Sequence, residues 1–504
     1  MVKCFIFAEA SSQKMVNTFP NVVLIMADDV GLGDISYHVR NIMELEPIFE
    51  TPSIDSLARQ GMWFTDGHSA TSLCSPTRYC VMSGNNNYRS HAPWGVWNTF
   101  AQSPFKDTDA TLGFVFRDAG YKTGFIGKWH LGGDFNSSKT SAVFRENSKG
   151  IHPHQVDLSK IVGGGPQDLG FDYSFMLPCG IQGPIYTAYE NSNWYRLNKN
   201  SKLIYLDKDN VIHPKDLTSK GPGAGDSHWD AREIGKLISA KAVDFIDACS
   251  GRKPFFLYYC SPMPHLPHCP PEEFDGKLVA GSTPSSHLDC VVDLDCQVAR
   301  IIKALKKNNV IDNTLIIFMS DNGGLVNIDP NDKGLGYNSS GGWAGAKNSP
   351  LEGGHRTPFI ASWPGKIKSG IINNELVVNT DLVATFAALV GKQLNSNQAM
   401  DSRNILPILI GKNQSKSRNR LLLQAGSNCE VIYRRDPWKL IIQSNWALDK
   451  WDPIRLFNLE KTPLEKPKDD LIDNPVYKNL VGELMNEYMN IRQSEVRTVK
   501  DARF

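Results

Sequence analysis

Short, almost uninterrupted apolar segments alternate along this chain with longer segments whose apolar residues recur every three or four positions. Segments 21–27, 254–260 and 314–319 are of the first kind, which is typical of strands buried on both faces of a parallel sheet. Segments 234–249 and 288–307 are of the second kind and are predicted to be helices. The alternation predicts an α/β fold with a large, mostly parallel sheet flanked by helices and joined by right-handed crossovers.

Three shorter features complete the predicted main domain. Thr51 and Pro52 open a helix as its cap and its first residue. Residues 122–127 form a short strand after the turn at Gly120. Residues 136–220 are irregular and rich in Gly, Asn and Ser, so we predict long loops there, close to a functional site.

A polar, turn-forming segment at 411–419 predicts a domain boundary. After it, residues 421–425, 431–434 and 438–442 are predicted strands and residues 475–492 a predicted helix. The chain is therefore divided into three regions: an N-terminal extension (1–18), a main domain that carries the candidate chemistry (19–415) and a small C-terminal α+β subdomain (416–504).

Charge and hydropathy restrict the classes of partner. The chain has 54 basic and 53 acidic residues and a net charge of +1, so bulk charge attracts neither nucleic acid nor a membrane surface. No apolar run is long enough to cross a bilayer. We expect neither a nucleic-acid nor a membrane partner, and any selectivity for anions must come from a local cluster of cations.

The ten cysteines include no C-x-x-C pair, so we do not expect a structural zinc site. Disulfides are expected only if the chain is exported. The apolar patch at residues 4–8 is too short for a convincing secretory signal, so the sequence leaves the location of the protein open.

Acidic and amide side chains follow two of the predicted strands. Asp28 and Asp29 come directly after the first strand, and Asp321 and Asn322 come after the strand at 314–319. In open parallel sheets, ligands gather at the carboxyl ends of the strands. An all-oxygen donor set there suits calcium or magnesium better than zinc. The alternative is that both pairs are turn residues that end strands.

The remaining candidate residues are spread over four segments: Cys74 and Arg78 in C-S-P-T-R, Lys128 and His130 in G-K-W-H-L-G, His265 in P-H-L-P, and Lys347 in G-A-K-N-S-P-L-E-G-G-H-R. Lys128 and His130 lie two positions apart and would face the same side of an extended segment, which suits an oxyanion pocket. Read alone, they could equally be surface residues that flank a buried Trp129. A lone Cys is usually a small buried hydrophobe.

Together these segments resemble the type I sulfatases, the arylsulfatase family of the alkaline-phosphatase-like superfamily. The resemblance implies that Cys74 is oxidised to formylglycine by a maturation enzyme that reads Pro76 and Arg78. It implies that the hydrated aldehyde attacks a sulfate monoester beside a calcium ion, with magnesium as the alternative. The metal ligands would be Asp28, Asp29, the residue at Cys74, Asp321 and Asn322.

The resemblance also implies roles for the remaining site residues. Arg78 would hold the hydrated aldehyde, Lys128 would bind it and the sulfate, and His130 would take the proton that regenerates the aldehyde. His265 and Lys347 would contact the sulfate, and one of them, which the sequence leaves open, would protonate the leaving oxygen. His268 and His355 are weaker candidates.

The implied function is sulfuric ester hydrolysis on a sulfated small molecule or oligosaccharide. One alternative is a phosphonate or phosphodiester hydrolase of the same superfamily. Another is a non-catalytic carbohydrate-binding relative in which Cys74 stays unconverted, and a cysteine hydrolase is a third. A set of loop aromatics either stacks on sugar rings or packs in the core: Tyr186, Tyr189, Trp194, Tyr337 and Trp343.

Overall fold

The computed structural model describes residues 19–325, 335–412, 418–426 and 428–495. The predicted N-terminal extension, the boundary at 415/416 and the first part of the loop before Trp343 lie outside these ranges. The domain boundary therefore stays a prediction.

The described helices and strands are numbered here in chain order. The strands are β1 (Asn21–Ala27), β2 (Met62–Phe64), β3 (Gly67–His68), β4 (Lys122–Lys128), β5 (Tyr173–Leu177), β6 (Ala188–Glu190), β7 (Asn193–Tyr195), β8 (Leu203–Leu206), β9 (Gly223–Asp226), β10 (Phe255–Cys260), β11 (Glu273–Phe274), β12 (Lys277–Leu278), β13 (Thr314–Ser320), β14 (Phe359–Ser362), β15 (Ile371–Asn373), β16 (Val377–Val378), β17 (Arg420–Gln424), β18 (Glu430–Arg435), β19 (Trp438–Ser444) and β20 (Trp451–Asn458). The helices are α1 (Ser36–Asn41), α2 (Pro52–Arg59), α3 (Cys74–Ser83), α4 (Leu112–Asp118), α5 (Ala231–Cys249), α6 (Ser286–Lys307), α7 (Glu352–His355), α8 (Leu382–Leu389), α9 (Leu406–Leu409) and α10 (Lys478–Gln493).

The main sheet has the strand order β15-β2-β14-β13-β1-β10-β4-β5-β6-β7 across the described residues. Its central strands, β13, β1, β10, β4 and β5, are all parallel, which confirms the predicted α/β fold. The outer strands β14 and β6 run antiparallel to their inner neighbours. At the end of the sheet formed by β6 and β7, these two strands are joined by a tight turn. The turn residues Asn191 and Ser192 both have positive φ, as short hairpins require.

Strand β1 shows why the centre is buried on both faces. Val22, Leu24 and Met26 pack into one apolar core, with α4 and α8. The alternate residues of β1, together with α2, α5 and α6, form the core on the other face. The sheet is thus the middle of three layers, and its carboxyl-terminal edge is where loops can hold polar side chains.

The segment 136–220 is more ordered than its composition predicts. Strands β5, β6 and β7 extend the main sheet, and β8 pairs with β9. These strands are only three to five residues long and are separated by Gly-, Asn- and Ser-rich turns. A period of two is hard to detect over so few residues, so the sequence pattern favoured loops.

The C-terminal region forms an antiparallel sheet of order β17-β18-β19-β20 covered by α10. Leu484 and Tyr488 of α10 are fully buried against Tyr433 and Leu440 of this sheet. The three predicted strands and the helix are confirmed. Strand β20 was not predicted, because its sequence, W-D-P-I-R-L-F-N, mixes polar residues and a proline among the apolar ones.

Two further observations concern cysteines and membranes. The cysteines within the described ranges are all unpaired. None of the described helices combines the length and the apolar composition that a membrane span requires.

Candidate active site

Two neighbouring strands deliver the predicted acidic residues to one place. Asp28 and Asp29 follow β1, Asp321 and Asn322 follow the adjacent β13, and all four are buried. The backbone N–H of Asp29, a residue with φ of 70°, donates to Asp321 Oδ1 at 3.2 Å. One carboxylate oxygen from each of the three aspartates lies within 4.8 Å of the other two. The parallel register of the strands produces this convergence.

Helix α3 begins at Cys74 and carries Arg78 one turn later. The buried guanidinium of Arg78 donates through Nη2 to Asp321 Oδ2 at 2.7 Å and through Nη1 to the carbonyl of Lys128 at 2.8 Å. The Cys74 sulfur, one carboxylate oxygen of Asp28 and one ring nitrogen of His265 lie within 4.8 Å of one another. The first turn of α3 therefore lies against the carboxyl ends of β1, β4 and β13.

Lys128 and His130 both reach this cluster, but not along an extended segment as predicted. Strand β4 ends at Lys128, whose Nζ lies 2.5 Å from Asp28 Oδ2. His130 has φ of 58°, in the left-handed region, so the chain turns between the two residues. This turn is held because the N–H of His130 donates to the Pro178 carbonyl at 2.9 Å and its carbonyl accepts from Ser75 Oγ at 2.7 Å. The backbone at His130 departs from the extended conformation that the sequence analysis assumed, and the His130 ring lies within electrostatic reach of Lys128.

His265 and Lys347 approach from two further loops and meet at Asp29. Lys347 Nζ lies 2.7 Å from Asp29 Oδ1 and 2.8 Å from Oδ2, and its side chain is 13% exposed. His265 Nδ1 lies 2.8 Å from the Leu266 carbonyl, so its Nε2 is turned to Asp29 Oδ2 at 3.7 Å. We call the assembled set the catalytic cluster: Asp28, Asp29, Cys74, Arg78, Lys128, His130, His265, Asp321, Asn322 and Lys347.

Glycines allow the supporting loops to approach closely. A Cβ on Gly323 would lie 1.9 Å from the Gly353 carbonyl oxygen, and the Gly323 N–H donates to the Gly354 carbonyl at 2.9 Å. Any larger residue at position 323 would push the segment after Asn322 away from the E-G-G-H-R segment. The glycines of both motifs therefore have a packing function.

The charges of the catalytic cluster shift its carboxyl pKa values in opposite directions. Burial alone would raise the pKa of Asp28, but the positive charges of Lys128, His265 and Arg78 outweigh burial and hold it well below the ordinary value. Burial and the negative charge of Asp28 raise the pKa of Asp321 to about 7. Crowded carboxyl groups cannot all ionise easily, and an added cation relieves this repulsion.

Orphaned oxygen atoms show that this donor set fits a hard divalent ion. Among the described residues, Asp28 Oδ1 and Asn322 Oδ1 are buried yet have no hydrogen-bond partner. Asn322 uses its Nδ2 to donate to Asp29 Oδ1 at 2.8 Å, which leaves its own oxygen available. Carboxylate and amide oxygens are the ligands of calcium and magnesium. These atoms could hold a metal ion of that kind.

Burial shifts the pKa values of Cys74, His130 and His265. Burial raises the pKa of the Cys74 thiol, so the unmodified residue is not an activated thiolate and a cysteine hydrolase gains no support. Burial and the charge of Lys128 lower the pKa of His130 well below its usual range. Burial and the charge of Lys347 lower the pKa of His265 to about 4.

The sequence missed Ser75, which positions the segment after β4. Its hydroxyl donates to the His130 carbonyl at 2.7 Å and accepts from the Trp97 N–H at 2.9 Å. The signal for this role that the sequence offered was the position of Ser75 directly after Cys74.

The two weaker histidine candidates lie apart from one another. His268 is buried with its Nε2 3.3 Å from His287 Nδ1, and His355 lies at a different cluster, against the C-terminal sheet.

The loop aromatics divide into packing residues and partly exposed ones. Tyr186 and Tyr189 are fully buried and donate to the carbonyls of Gly221 and Leu158. Tyr337 donates to Asp34. Trp343 is partly exposed and stacks on the guanidinium of Arg356 at 4.3 Å.

Comparison with known families places these motifs in context. The profile described as Sulfatase matches residues 20–392. The profile described as N-sulphoglucosamine sulphohydrolase, C-terminal, matches residues 346–494. Together they cover both the main sheet and the C-terminal sheet.

Individual proteins resemble the chain over most of its length. It is 28% identical to N-acetylgalactosamine-6-O-sulfatase from Bacteroides thetaiotaomicron, over 95% of this chain and 93% of the relative. It is 30% identical to arylsulfatase A from Bos taurus, over 79% and 69% of the two chains. A solved sulfatase structure from a glycosaminoglycan-metabolising locus of Bacteroides thetaiotaomicron matches with a TM-score of 0.77 and 25% identity, over 94% of this chain and 100% of that one. The chain belongs to the type I sulfatase family, and it is a hydrolase of sulfuric esters.

Proposed function

We propose that this sulfatase cleaves a sulfate monoester on a carbohydrate, using a hydrated formylglycine formed from Cys74 and a bound calcium ion, with magnesium as the alternative. The observation that carries this proposal is the convergence on Cys74 of side chains from separate loops. Its thiol is within electrostatic reach of Lys128, Lys347 and Asp28. No local sequence element could assemble such a set.

Asp28, Asp29, Asp321 and Asn322 would hold the metal ion, with an oxygen at position 74 as a further ligand. When bound, the ion supplies positive charge that stabilises negative charge on the attacking oxygen and on the sulfate. The orphaned oxygens of Asp28 and Asn322 support this assignment. The maturation enzyme that would convert Cys74 is part of the same proposal.

Formylglycine, once formed, supplies a hydrated aldehyde with one hydroxyl that attacks sulfur and a second that permits release of the sulfate. The Cys74 sulfur marks where these oxygens would lie. Arg78 would hold them, because its guanidinium is fixed by Asp321 and by the Lys128 carbonyl. An arginine so constrained loses little freedom when the substrate binds.

The charge balance of the catalytic cluster favours an anionic substrate. Asp28, Asp29 and Asp321 are matched by Arg78, Lys128 and Lys347, so three negative groups face three positive ones. A divalent ion would add two positive charges that no protein group cancels. This excess attracts a sulfate ester and stabilises the charge that develops during its cleavage.

We assign the proton donor for the leaving oxygen to His265 and give Lys347 the role of a sulfate clamp. The attraction of Asp29 outweighs burial and raises the pKa of Lys347 well above its usual range, so it is a poor proton donor. His265 presents Nε2 to the site, and a bound anion would favour its protonated form. His130, with an unpaired Nδ1, would accept the proton of the position-74 hydroxyl during sulfate release.

The proposed substrate class is a sulfated carbohydrate. A relative that aligns over 95% of this chain is named N-acetylgalactosamine-6-O-sulfatase, and the human relative N-acetylgalactosamine-6-sulfatase aligns over 78%. We therefore rank 6-O-sulfated N-acetylhexosamines first in a substrate panel. 4-Nitrophenyl sulfate serves as the surrogate, and an aryl phosphate diester tests the phosphodiester and phosphonate alternative.

The decisive experiment is the mass of the tryptic peptide 60–78 from protein made in its own host. Conversion of Cys74 to formylglycine makes this peptide about 18 Da lighter than the thiol form. The lighter peptide together with sulfatase turnover supports the proposal. A thiol-only peptide with retained binding of sulfated sugar would instead identify a non-catalytic binding protein.

A further inference from the structure

A second group of possible metal ligands lies outside the catalytic cluster. His213, Asp216 and Cys269 each offer one donor atom within 4.8 Å of the others. His213 directly precedes the single helical turn Pro214–Leu217 and Asp216 lies within it, whereas Cys269 lies 56 residues from His213. The sequence analysis expected no structural zinc site, but it could only judge residues close together along the chain.

The two distances from His213 to the other donor atoms are close to those at a tetrahedral ion. His213 Nδ1 lies 3.6 Å from Cys269 Sγ and 3.7 Å from Asp216 Oδ1. Zinc bonds of about 2.0–2.1 Å to nitrogen, 2.3 Å to sulfur and 2.0–2.2 Å to oxygen place nitrogen roughly 3.6 Å from sulfur and 3.4 Å from oxygen. The imidazole nitrogen is thus at the zinc spacing from sulfur and slightly beyond it from oxygen.

An unpartnered carboxylate oxygen provides the independent observation. Asp216 is fully buried, and within the described part of the chain no hydrogen bond of ordinary geometry reaches its Oδ1, although the Cys269 thiol interacts with this carboxylate. Its other oxygen accepts from the Ala231 N–H at 3.3 Å, so the carboxylate is anchored with Oδ1 directed at His213.

One side of this trio is open to solvent. The side chain of His213 is 25% exposed, whereas Cys269 is buried. A zinc ion with three protein ligands and one water molecule has this arrangement. By contrast, the trio His68, Glu352 and His355 already contains the Lys439 ammonium, 2.9 Å from Glu352 Oε1 and 3.1 Å from His355 Nε2.

We propose that His213 Nδ1, Asp216 Oδ1 and Cys269 Sγ bind one zinc ion, separate from the metal of the catalytic cluster. Nitrogen, sulfur and oxygen donors together select zinc over calcium or magnesium. Cys269 lies four positions after His265 in the same loop. The ion would tie the turn at 214–217 to the loop that carries His265, and so help to fix that histidine.

The test uses the full chain, stripped with a chelator and returned to excess calcium. Zinc is titrated by calorimetry, and cobalt(II) is titrated while its absorption spectrum is recorded. We expect one zinc equivalent and a cobalt spectrum with thiolate charge-transfer bands. Cys269→Ser and His213→Gln should each weaken zinc binding by at least about 100-fold, the upper end of what loss of an outer hydrogen-bond partner of a metal site costs.

Matched controls are Cys249→Ser, at another buried cysteine, and His154→Gln, at an exposed histidine. Both should bind zinc as the unaltered protein does. Zinc should raise the Tm of the unaltered protein and of the controls, but not that of Cys269→Ser. Unchanged zinc affinity in Cys269→Ser and His213→Gln, or a cobalt spectrum without thiolate bands, overturns the proposal and leaves the trio as a hydrogen-bonded packing contact. Neither readout depends on sulfatase turnover, so the result is independent of the proposed function.

Discussion

Two buried clusters of charged side chains lie in this protein, and they solve the problem of buried charge differently. One is the catalytic cluster. The other, which we call the interface cluster, joins the main domain to the C-terminal sheet: Asp66, His68, Glu352, His355, Arg356, Arg434, Lys439 and Glu465. Each combines three carboxylates with three permanent cations. Equal charge therefore does not by itself distinguish a site for chemistry from a structural contact.

The difference lies in whether the donors and acceptors pair with one another. In the interface cluster, Lys439 Nζ bridges Glu352 at 2.9 Å and Glu465 at 2.7 Å, and it is fully buried. Asp66 is shared by Arg356 and Arg434 at 2.8 and 2.9 Å. In the catalytic cluster, Asp28, Asn322 and His130 each keep a buried atom that no described residue pairs with. Mutual pairing makes a firm contact between the two sheets, and unpaired atoms aimed into one site make a place for ligands.

The strongest way to test this contrast is to weaken or empty the proposed metal site of the catalytic cluster. Asp321→Asn and chelator treatment should each abolish most sulfatase activity, by on the order of 10³-fold or more, because the electrostatic stabilisation of the transition state is lost. The measurement is kcat/KM on 4-nitrophenyl sulfate with and without added calcium.

Calcium should restore the chelated enzyme but not Asp321→Asn. Asp452→Asn, at an exposed position of the C-terminal sheet, serves as the matched control and should keep full activity. Full activity after complete removal of divalent ions would contradict the metal assignment.

The second test separates His265 from Lys347 as the proton donor. His265→Ala should lower the rate by about 10²–10⁴-fold on a sulfated sugar, whose leaving alkoxide needs a proton, and far less on 4-nitrophenyl sulfate. Lys347→Ala should lower both rates by similar factors, because it removes a sulfate contact. The ratio of kcat/KM values for the two substrates is the readout, and equal losses in His265→Ala would assign the proton to another group.

The third test breaks the pairing in the interface cluster. Lys439→Met leaves Glu465 buried without its cation and leaves Glu352 with Arg356 alone, so the free energy of unfolding should fall by about 3–5 kcal/mol. Denaturant unfolding followed by fluorescence measures the loss. Lys450→Met, an exposed lysine that pairs with Asp452, should change stability by less than about 1 kcal/mol. A loss that small for Lys439→Met would mean that the cluster contributes little to the joint.

The smallest expected effect is the pH dependence of the interface cluster. Burial lowers the pKa of His68, and burial with the charge of Lys439 lowers that of His355 well below its usual range. The folded state holds both rings neutral, while the unfolded chain takes up protons below about pH 6.5. Stability should therefore fall as the pH falls below about 6.5, each histidine contributing up to about 1.4 kcal/mol per pH unit.

A comparison of slopes between pH 5 and 6.5 tests this effect. His68→Asn should give a shallower slope of unfolding free energy against pH than the unaltered protein, whatever its absolute stability. His154→Asn, at an exposed position, should leave the slope unchanged. If His68→Asn also leaves it unchanged, the imidazole is not held neutral in the fold.

The sequence alone predicted the central sheet and the residues that the structure brings together in the catalytic cluster. Strands such as β1 and helices such as α6 have long, clear apolar periods, which depend only on neighbouring residues. The order of the parallel strands then places Asp28 beside Asp321, 293 residues later, because their strands end at the same edge. Residue types and strand ends were sufficient for that inference.

Only the tertiary structure decided how side chains pair across long separations. The turn at His130 depends on hydrogen bonds to Ser75 and Pro178, the strands β6 and β7 depend on the edge they join, and the approach of His213 to Cys269 has no periodic signal. Whether a buried carboxylate is paired, as Glu352 is, or keeps a free oxygen, as Asp28 does, is set by partners from distant segments. Local sequence records which groups are available, whereas the packed fold decides which of them are left to bind a ligand.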